Sequence, residues 1–182
     1  MSLTLSRVST PQPSRGGTNG VSPRIPGETP LVYSGSVVIA ASPQALYDMV
    51  SDITRMGQWS PVAKSCWWDE GDGPKVGAWF TGRNEAPARD PWETRCQVAA
   101  ADPGKEFAFI VGGTWTRWGY AFSPVSGETV VTESWEMLPA GLERFDQRFG
   151  AGAADQVRDR YETARAGIAT TLAAIKRAAE GA

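Results

Sequence analysis

Glu133 is the ionisable side chain best placed to do chemistry, because it lies within an otherwise apolar strand-like segment, TVVTESWEM. Successive side chains of a strand point to opposite faces, so Glu133 shares a face with Val131, Trp135 and Met137. A carboxyl group on an apolar face has a partner, has a shifted pKa or contacts a ligand. Two structural explanations stay open: an ion pair with an arginine, and a bulge that turns Glu133 outward.

Three further polar side chains fall on the same predicted inner face. Tyr120 adds a hydroxyl, and together with Glu133 it forms the candidate acid–base pair for catalysis. Strand alternation adds the amide of Asn84 and the hydroxyl of Thr94. These residues offer the hydrogen bonds that orient a ligand within an apolar site.

The absence of histidine limits the chemistry that these groups could perform. It excludes Ser-His nucleophile activation, histidine metal sites and the usual general base near neutral pH. The only two cysteines, Cys66 and Cys96, are too few for a disulfide framework or, alone, for a zinc site. We therefore predict no metal and no cofactor.

Tryptophan is concentrated in one region, since all eight tryptophans lie between Trp59 and Trp135. Tryptophan gives rigid, flat, amphipathic surface, so this region is where a ligand is expected. Trp59 follows a short helical segment in DITRMGQWSP, where Gly57 could end a helix in the left-handed conformation and Pro61 prevents an early restart. Trp59 is therefore predicted to lie in a loop.

Charge and hydropathy restrict the partners. The chain has 18 Lys and Arg against 20 Asp and Glu, a net charge of −2 and a pI near 5.3, so no basic surface indicates nucleic acid. No apolar run has membrane-spanning length, and no N-terminal signal pattern is present. We expect a cytoplasmic protein without nucleic-acid binding or integral membrane association; the oligomeric state stays open.

The chain divides into a tail and one domain. Residues 1–32 are rich in Pro, Gly and Ser without apolar periodicity, which predicts a disordered tail. Residues 33–182 form the predicted domain. It begins with the strand SGSVVIAA and a helix in which Ser42 is the N-cap and Pro43 the first residue. The segment DITRMG predicts a second short helix.

The middle of the chain predicts an antiparallel meander. Five segments of six to nine residues, separated by turn signals, follow a short CWW segment. Those five segments are VGAWFTGRN, WETRCQV, KEFAFIV, TWTRWGYAF and TVVTESWEM. Alternation within them predicts an inner face that is aromatic with a few polar groups.

The C-terminal segment predicts one long helix. Apolar residues recur at steps of three and four from Val157 through Ile168 and Leu172 to Ala179. The stripe is thin at Ala164 and Gly167, so a helix packed over a bulky aromatic sheet leaves space between them.

This order of elements resembles the START-like (SRPBCC, helix-grip) superfamily, in particular its polyketide cyclase/dehydrase and lipid-transport branch. The resemblance covers about four fifths of the chain and is carried by SPQALYDMVSDITRMGQWSP, VGAWFTGRNE, WETRCQVAAADPGKEFAF, TWTRWGYAFSP, GETVVTESW and GIATTLAAIKRAAE. It implies an α+β helix-grip fold: an antiparallel sheet of about seven strands wrapped around a long C-terminal helix, with two short helices after the first strand.

The resemblance also implies an apolar cavity between the sheet and the long helix. In the family pattern the GQWSP loop lies at one end of the cavity, where Trp59 would form part of a rim or lid; the alternative is that Trp59 packs in the core. The predicted ligand contacts are Trp59, Phe80, Asn84, Trp92, Thr94, Phe109, Trp118, Tyr120, Glu133 and Trp135.

Three classes of function are compatible with this fold. The favoured one is a carrier or sensor for a hydrophobic small molecule such as a lipid, an aromatic or a polyketide-like compound. The second is an enzyme of the polyketide cyclase/dehydratase type, using Glu133 and Tyr120. The third is a protein-interaction module such as a toxin–antitoxin component.

Overall fold

The computed structural model describes residues 31–71, 73–87 and 89–181. The predicted tail falls almost wholly outside these residues, and the first strand begins at Leu31. The strands are β1 (Leu31–Ile39), β2 (Ala63–Trp68), β3 (Trp79–Asn84), β4 (Trp92–Asp102), β5 (Glu106–Val111), β6 (Thr116–Val125) and β7 (Glu128–Met137). The α-helices are α1 (Pro43–Ser51), α2 (Pro139–Phe149) and α3 (Ala153–Glu180), and 3-10 helices span Ile53–Gln58 and Gly150–Gly152.

The seven strands form one antiparallel sheet in the order β1-β7-β6-β5-β4-β3-β2. Consecutive strands from β2 to β7 are neighbours, which confirms the predicted meander, and β1 pairs with β7. The connection between β6 and β7 is tight because Ser126 and Gly127 both have positive φ angles, 48° and 86°. The predicted α+β helix-grip architecture is therefore confirmed.

Alternation along the strands creates the inner face. In β7, Val131, Glu133, Trp135 and Met137 are all buried, whereas the residues between them are half-exposed. In β4 the same pattern buries Cys96 and leaves the intervening polar side chains in contact with solvent. The predicted alternation of side chains between the two faces is thus confirmed for β4 and β7, and Glu133 faces the interior.

The helices after β1 begin with local caps, as the sequence predicts. Ser42 Oγ accepts a hydrogen bond from the Ala45 amide at 3.2 Å, and Pro43 occupies the first turn of α1. The second helix is a 3-10 helix in which Asp52 accepts from the Thr54 amide. It continues through Gly57 to Gln58, so Gly57 does not end it and is absent from the residues with positive φ.

Helix α3 packs mainly against β1 and β7, which are the edge strand and its neighbour. Gly35 of β1 allows this approach: a Cβ atom there would lie 2.9 Å from Ile168 and 3.4 Å from Leu172. Both side chains face the sheet, as predicted. At the end of α3, Lys176 Nζ donates to the Val38 carbonyl of β1 at 2.6 Å. In the described ranges, no helix combines the length and apolarity needed to cross a membrane.

Helix α2 was not predicted. The sequence carries a signal for it, since Pro139 occupies the first turn and Leu142, Phe145 and Phe149 recur at steps of three and four. Gly141 allows its first turn to pack against the turn between β5 and β6, because a Cβ there would lie 2.3 Å from the Trp115 carbonyl oxygen. Helix α2 therefore joins α3 at one end of the fold.

Candidate functional site

A pocket of about 990 Å³ lies between the inner face of the sheet and α3. Because α3 packs mainly on β1 and β7, the inner faces of the middle strands are left to line this space. Nine predicted ligand contacts lie in its wall: Phe80, Asn84, Trp92, Thr94, Phe109, Trp118, Tyr120, Glu133 and Trp135. The structure thus brings together residues from β3, β4, β5, β6 and β7.

Trp59 is the predicted contact that the structure does not place in this wall. Its side chain is 3% exposed and belongs to the hydrophobic core. The guanidinium carbon of Arg55 lies 5.6 Å from the centroid of the indole ring. The position corresponds to the core-packing alternative, so Trp59 is removed from the candidate site.

Aromatic rings form much of the wall and are held by edge contacts with one another. The ring of Phe80 meets that of Phe109 at 5.1 Å between centroids, nearly perpendicular. Trp135 meets Tyr161 of α3 at 6.0 Å in a similar arrangement. Such contacts fix ring orientation, and a pre-formed aromatic wall binds flat or extended apolar molecules at small entropic cost.

Glu133 is a buried polar residue in the wall of the pocket. It is 2% exposed, Tyr120 Oη donates to its Oε1 at 2.8 Å, and its Oε2 has no hydrogen-bond partner among the described residues. The structure excludes an outward bulge, because Glu133 points inward. It also excludes an ion pair of Glu133 with an arginine among the described residues, since the arginine ion pairs involve other carboxylates. A buried oxygen without a partner costs free energy unless a ligand satisfies it.

Burial also changes the protonation of Glu133. It raises the pKa of the carboxyl group from 4.5 to about 8, against the opposing effect of the hydrogen bond from Tyr120. Glu133 is therefore mostly neutral at pH 7. Because Oε1 accepts from Tyr120, the carboxyl proton is best placed on Oε2, where it can be donated to a ligand oxygen.

A second polar group lies on β3 and β4. Asn84 Nδ2 donates to the Gly82 carbonyl and to Thr94 Oγ1, both at 3.0 Å. These bonds hold the side-chain amide of Asn84, which is mostly buried, in the pocket wall. The pair thus offers polar atoms with a fixed orientation to a ligand.

The two cysteines line the pocket as thiols. Burial raises the pKa of Cys66 to about 11 and that of Cys96 to about 12. Cys66 Sγ donates to the Met56 sulfur at 3.8 Å. Since the thiolate is the nucleophilic form, neither residue is suited to nucleophilic catalysis near neutral pH.

Arginines at one end of the pocket were missed from the sequence. Arg89 follows β3, Arg144 and Arg148 belong to α2, and Arg160 belongs to α3. The Arg144 guanidinium lies 3.9 Å from the ring centroid of Trp115. The apolar spacing of α2 identifies the helix, but the position of its arginines beside the pocket depends on how α2 packs in the fold.

Comparisons with known proteins agree with this architecture. Residues 31–173 match the model of the family described as polyketide cyclase / dehydrase and lipid transport. Cgl2372, a Polyketide_cyc-like protein from Corynebacterium glutamicum, is 44% identical, with 85% of this chain and 93% of that chain covered and a TM-score of 0.63. None of the curated proteins matches the chain.

More distant structures share the fold alone. The di-domain ARO/CYC StfQ from the steffimycin biosynthetic pathway is 14% identical with a TM-score of 0.64, covering 84% of this chain and 51% of StfQ. Protein CV1439 from Chromobacterium violaceum is 15% identical with a TM-score of 0.58, covering 82% of this chain and 97% of that chain. The family match over most of the chain and the identity to the Corynebacterium protein show that this chain belongs to the polyketide cyclase/dehydrase and lipid transport family.

Proposed function

We propose that the protein is a carrier or sensor that binds a hydrophobic small molecule, such as a lipid, an aromatic or a polyketide-like compound, between the sheet and α3. The observation that carries the proposal is Glu133 Oε2, a buried polar atom without a partner among the described residues, in a pocket wall that also carries several aromatic rings. Such an atom is best explained by a ligand that accepts its hydrogen bond.

The size and lining of the pocket support a ligand with a large apolar body. Its volume of about 990 Å³ is at the upper end of the range typical of small-molecule sites. Trp118 and Trp135 offer broad flat surfaces, and Phe109 of β5 lies beside Trp118 and packs against Phe80 of β3. Burial of apolar ligand surface against these rings would supply most of the affinity.

The polar groups would orient this ligand. Neutral Glu133 would donate from Oε2 to a carbonyl or hydroxyl oxygen, and Asn84 would meet a second polar atom near β4. Membership of the family supports a role in ligand binding or in polyketide cyclase-like chemistry.

A substitution that fills the pocket should weaken ligand binding without unfolding the protein. Gly167 lines the pocket, and a Cβ atom there would meet only Pro61, at an ordinary distance of 3.7 Å. We expect Gly167→Leu to lower affinity at least about 10-fold, because the new side chain occupies ligand volume. Affinity would be measured by tryptophan fluorescence with a panel of fatty acids, flavonoids and aromatic polyketides.

The matched control is Ala169→Leu, which adds the same side chain on the exposed face of α3. It should bind like the unaltered protein. If no compound in the panel changes the fluorescence or the melting temperature of the unaltered protein, the carrier proposal fails. Equal binding by both leucine variants would place the ligand outside this pocket.

The second candidate function is an enzyme of the polyketide cyclase/dehydratase type. The hydrogen-bonded Glu133–Tyr120 pair favours it, because a carboxyl group with a pKa of about 8 can exchange a proton near physiological pH. Glu133 would protonate a carbonyl oxygen as an internal carbon–carbon bond forms from the enol of the same chain, and the O–H proton of the enol would return to the Glu133 carboxylate. Glu133 would then protonate the new hydroxyl while the adjacent carbon loses a proton to the solvent, so that the C–O bond breaks, water leaves and the ring gains a carbon–carbon double bond.

Glu133→Gln distinguishes the two functions. Glutamine keeps the shape and the acceptor for Tyr120 but cannot donate a proton to the reacting oxygen. In an enzyme, conversion of a polyketone substrate would fall at least about 100-fold while affinity changes little. Failure of the unaltered protein to convert any polyketone that it binds would leave the carrier function.

A further inference from the structure

We propose that the ligand carries a carboxylate, which binds at the end of the pocket where Arg89, Arg148 and Arg160 meet. We call these three residues the arginine end. The inference rests on the proposed function, because it assigns the second polar group of the ligand that Glu133 orients. It makes the ligand an amphipathic acid with an apolar body between two polar ends.

The arginine end is assembled from three elements. Arg89 Nη2 and Arg160 Nη1 both contact the same oxygen of Asp159, Oδ2, the latter at 2.6 Å. The Arg148 guanidinium lies over the ring of Phe149 at 5.3 Å and makes no ion pair with any described residue. All three arginines line the pocket that contains Glu133.

The charges at this end are not balanced. Three guanidinium groups against the one carboxylate of Asp159 leave two positive charges. Burial lowers the pKa of Arg160, and the positive charges of Arg89 and Arg148 lower it further, while Asp159 opposes them. An anion bound here would relieve this repulsion.

Other carboxylates at the pocket do not neutralise the arginine end. Glu85, Asp90 and Glu93 also line the pocket, but each is exposed, and none is paired with the three arginines among the described residues. They belong to β4 and the connection that precedes it. The excess positive charge of the arginine end therefore lies chiefly on the side of the pocket formed by α2 and α3.

A carboxylate fits the arginine geometry. Guanidinium groups bind carboxylates through paired N–H donors, and charge-assisted hydrogen bonds of this kind are stronger than neutral ones. Asp159 already shows that one carboxylate oxygen can lie between Arg89 and Arg160. A ligand carboxylate would make the same type of contact, using Arg148 and the remaining donors of Arg160.

The two polar ends lie against different stretches of α3. Glu133 pairs in register with Gly35, which lies against Ile168 and Leu172 of α3. Arg160 precedes these two residues by eight and twelve positions in the same helix, which corresponds to roughly 12 to 18 Å. An extended acyl chain of medium length, or a fused aromatic system with an acidic substituent, spans this distance.

The test compares three probes with the same chain: lauric acid, methyl laurate and dodecyl phosphate. For the unaltered protein we expect lauric acid to bind about 10-fold more tightly than methyl laurate at low salt. The preference should shrink at high salt, because the arginines are partly exposed. Affinity would be measured by tryptophan fluorescence and confirmed by calorimetry.

The variant Arg148→Gln/Arg160→Gln should lower the affinity for lauric acid about 10-fold, which removes the preference for the acid over methyl laurate. Its control is Arg158→Gln, which alters an exposed α3 arginine that pairs with Asp155. Arg158→Gln should keep the preference. The salt dependence of the unaltered protein tests the inference independently of whether the double variant folds.

Equal binding of acid and ester by the unaltered protein would overturn the inference, as would an unchanged preference in the double variant. If both bind equally and Gly167→Leu abolishes both, the proposed function stands and only the carboxylate site fails. If none of the probes binds, the proposal that the protein binds a lipid with an acyl chain fails as well. Tighter binding of dodecyl phosphate than of lauric acid would show that the arginine end selects phosphate, which overturns the choice of carboxylate.

Discussion

Glu133→Gln is expected to raise the free energy of unfolding by about 4 kcal/mol at pH 8, while changing it by only about 1 kcal/mol at pH 5. The reason is that burial raises the pKa of Glu133 from 4.5 to about 8 in the folded protein. Ionising this carboxyl group is therefore easier in the unfolded chain than in the folded one.

The sign follows from the two pKa values. Below pH 4.5 the carboxyl group is neutral in both states and has no effect on the pH dependence of stability. Between pH 4.5 and 8 the unfolded chain loses the proton first, so the stability of the unaltered protein falls as the pH rises. Above pH 8 both states are ionised and the loss stops. Glutamine removes this entire contribution because it does not ionise.

Urea denaturation of both proteins at pH 5 and pH 8 measures this difference. The matched control is Glu136→Gln on the same strand, because Glu136 alternates to the opposite, half-exposed face of β7. Its effect should stay within about 0.5 kcal/mol at both pH values. Parallel pH dependences for Glu133→Gln and the unaltered protein would show that Glu133 is ionised inside the fold at neutral pH.

A buried acid that destabilises the fold near neutral pH has a cost that packing alone does not explain. Sequences depart from good packing rules mainly at functional sites. Glu133 lies in the same pocket wall as the aromatic residues, with one oxygen bonded to Tyr120 and the other without a partner. This cost therefore supports the proposal that Glu133 acts on a ligand.

Gly57→Ala is expected to destabilise the protein by about 3 kcal/mol or more. A Cβ atom at position 57 would lie 2.1 Å from the backbone carbonyl oxygen of Lys64, far inside van der Waals contact. Lys64 lies at an irregularity in the pairing of β2 with β3, between Ala63 and Ser65. The clash involves backbone on both sides, so no change of side-chain rotamer can relieve it.

Thermal and urea unfolding would measure the loss, with Gly167→Ala as the matched control. A Cβ atom at position 167 makes an ordinary contact of 3.7 Å with Pro61. Alanine within a helix is favoured over glycine, so the control should gain about 0.5 to 1 kcal/mol. A loss below about 1 kcal/mol for Gly57→Ala would mean that the 3-10 helix moves away from β2 without cost.

Prediction from the sequence was most successful where local spacing carries the information. The alternation of Val131, Glu133, Trp135 and Met137 identified the inner face of β7 correctly. Nine of the ten residues predicted to contact a ligand line one pocket, and their contact with a ligand stays a prediction. Alternation succeeds because side-chain direction in a strand is a property of neighbouring residues and needs no knowledge of distant segments.

The environments of residues that contact segments far away in the chain could not be predicted from the sequence. Trp59 lies in the core and not in the pocket wall, because the fold around the 3-10 helix and β2 surrounds it. Gly57 is required by the approach of the Lys64 carbonyl and not by a left-handed turn. Neither outcome has a signature in the adjacent residues.

The sequence by itself determined the strands of the meander, their inner faces and the long C-terminal helix, because each follows from a period of two or from steps of three and four along the chain. The helix-grip arrangement was implied by the resemblance to a known family, and a bulge that turns Glu133 outward stayed open until the structure showed this side chain buried. Only the tertiary structure decided that Glu133 bonds to Tyr120 and that Arg89, Arg148 and Arg160 converge at one end of the same pocket. The physical reason is that these contacts join separate elements, whose relative positions arise from packing over the whole fold and not from local preference.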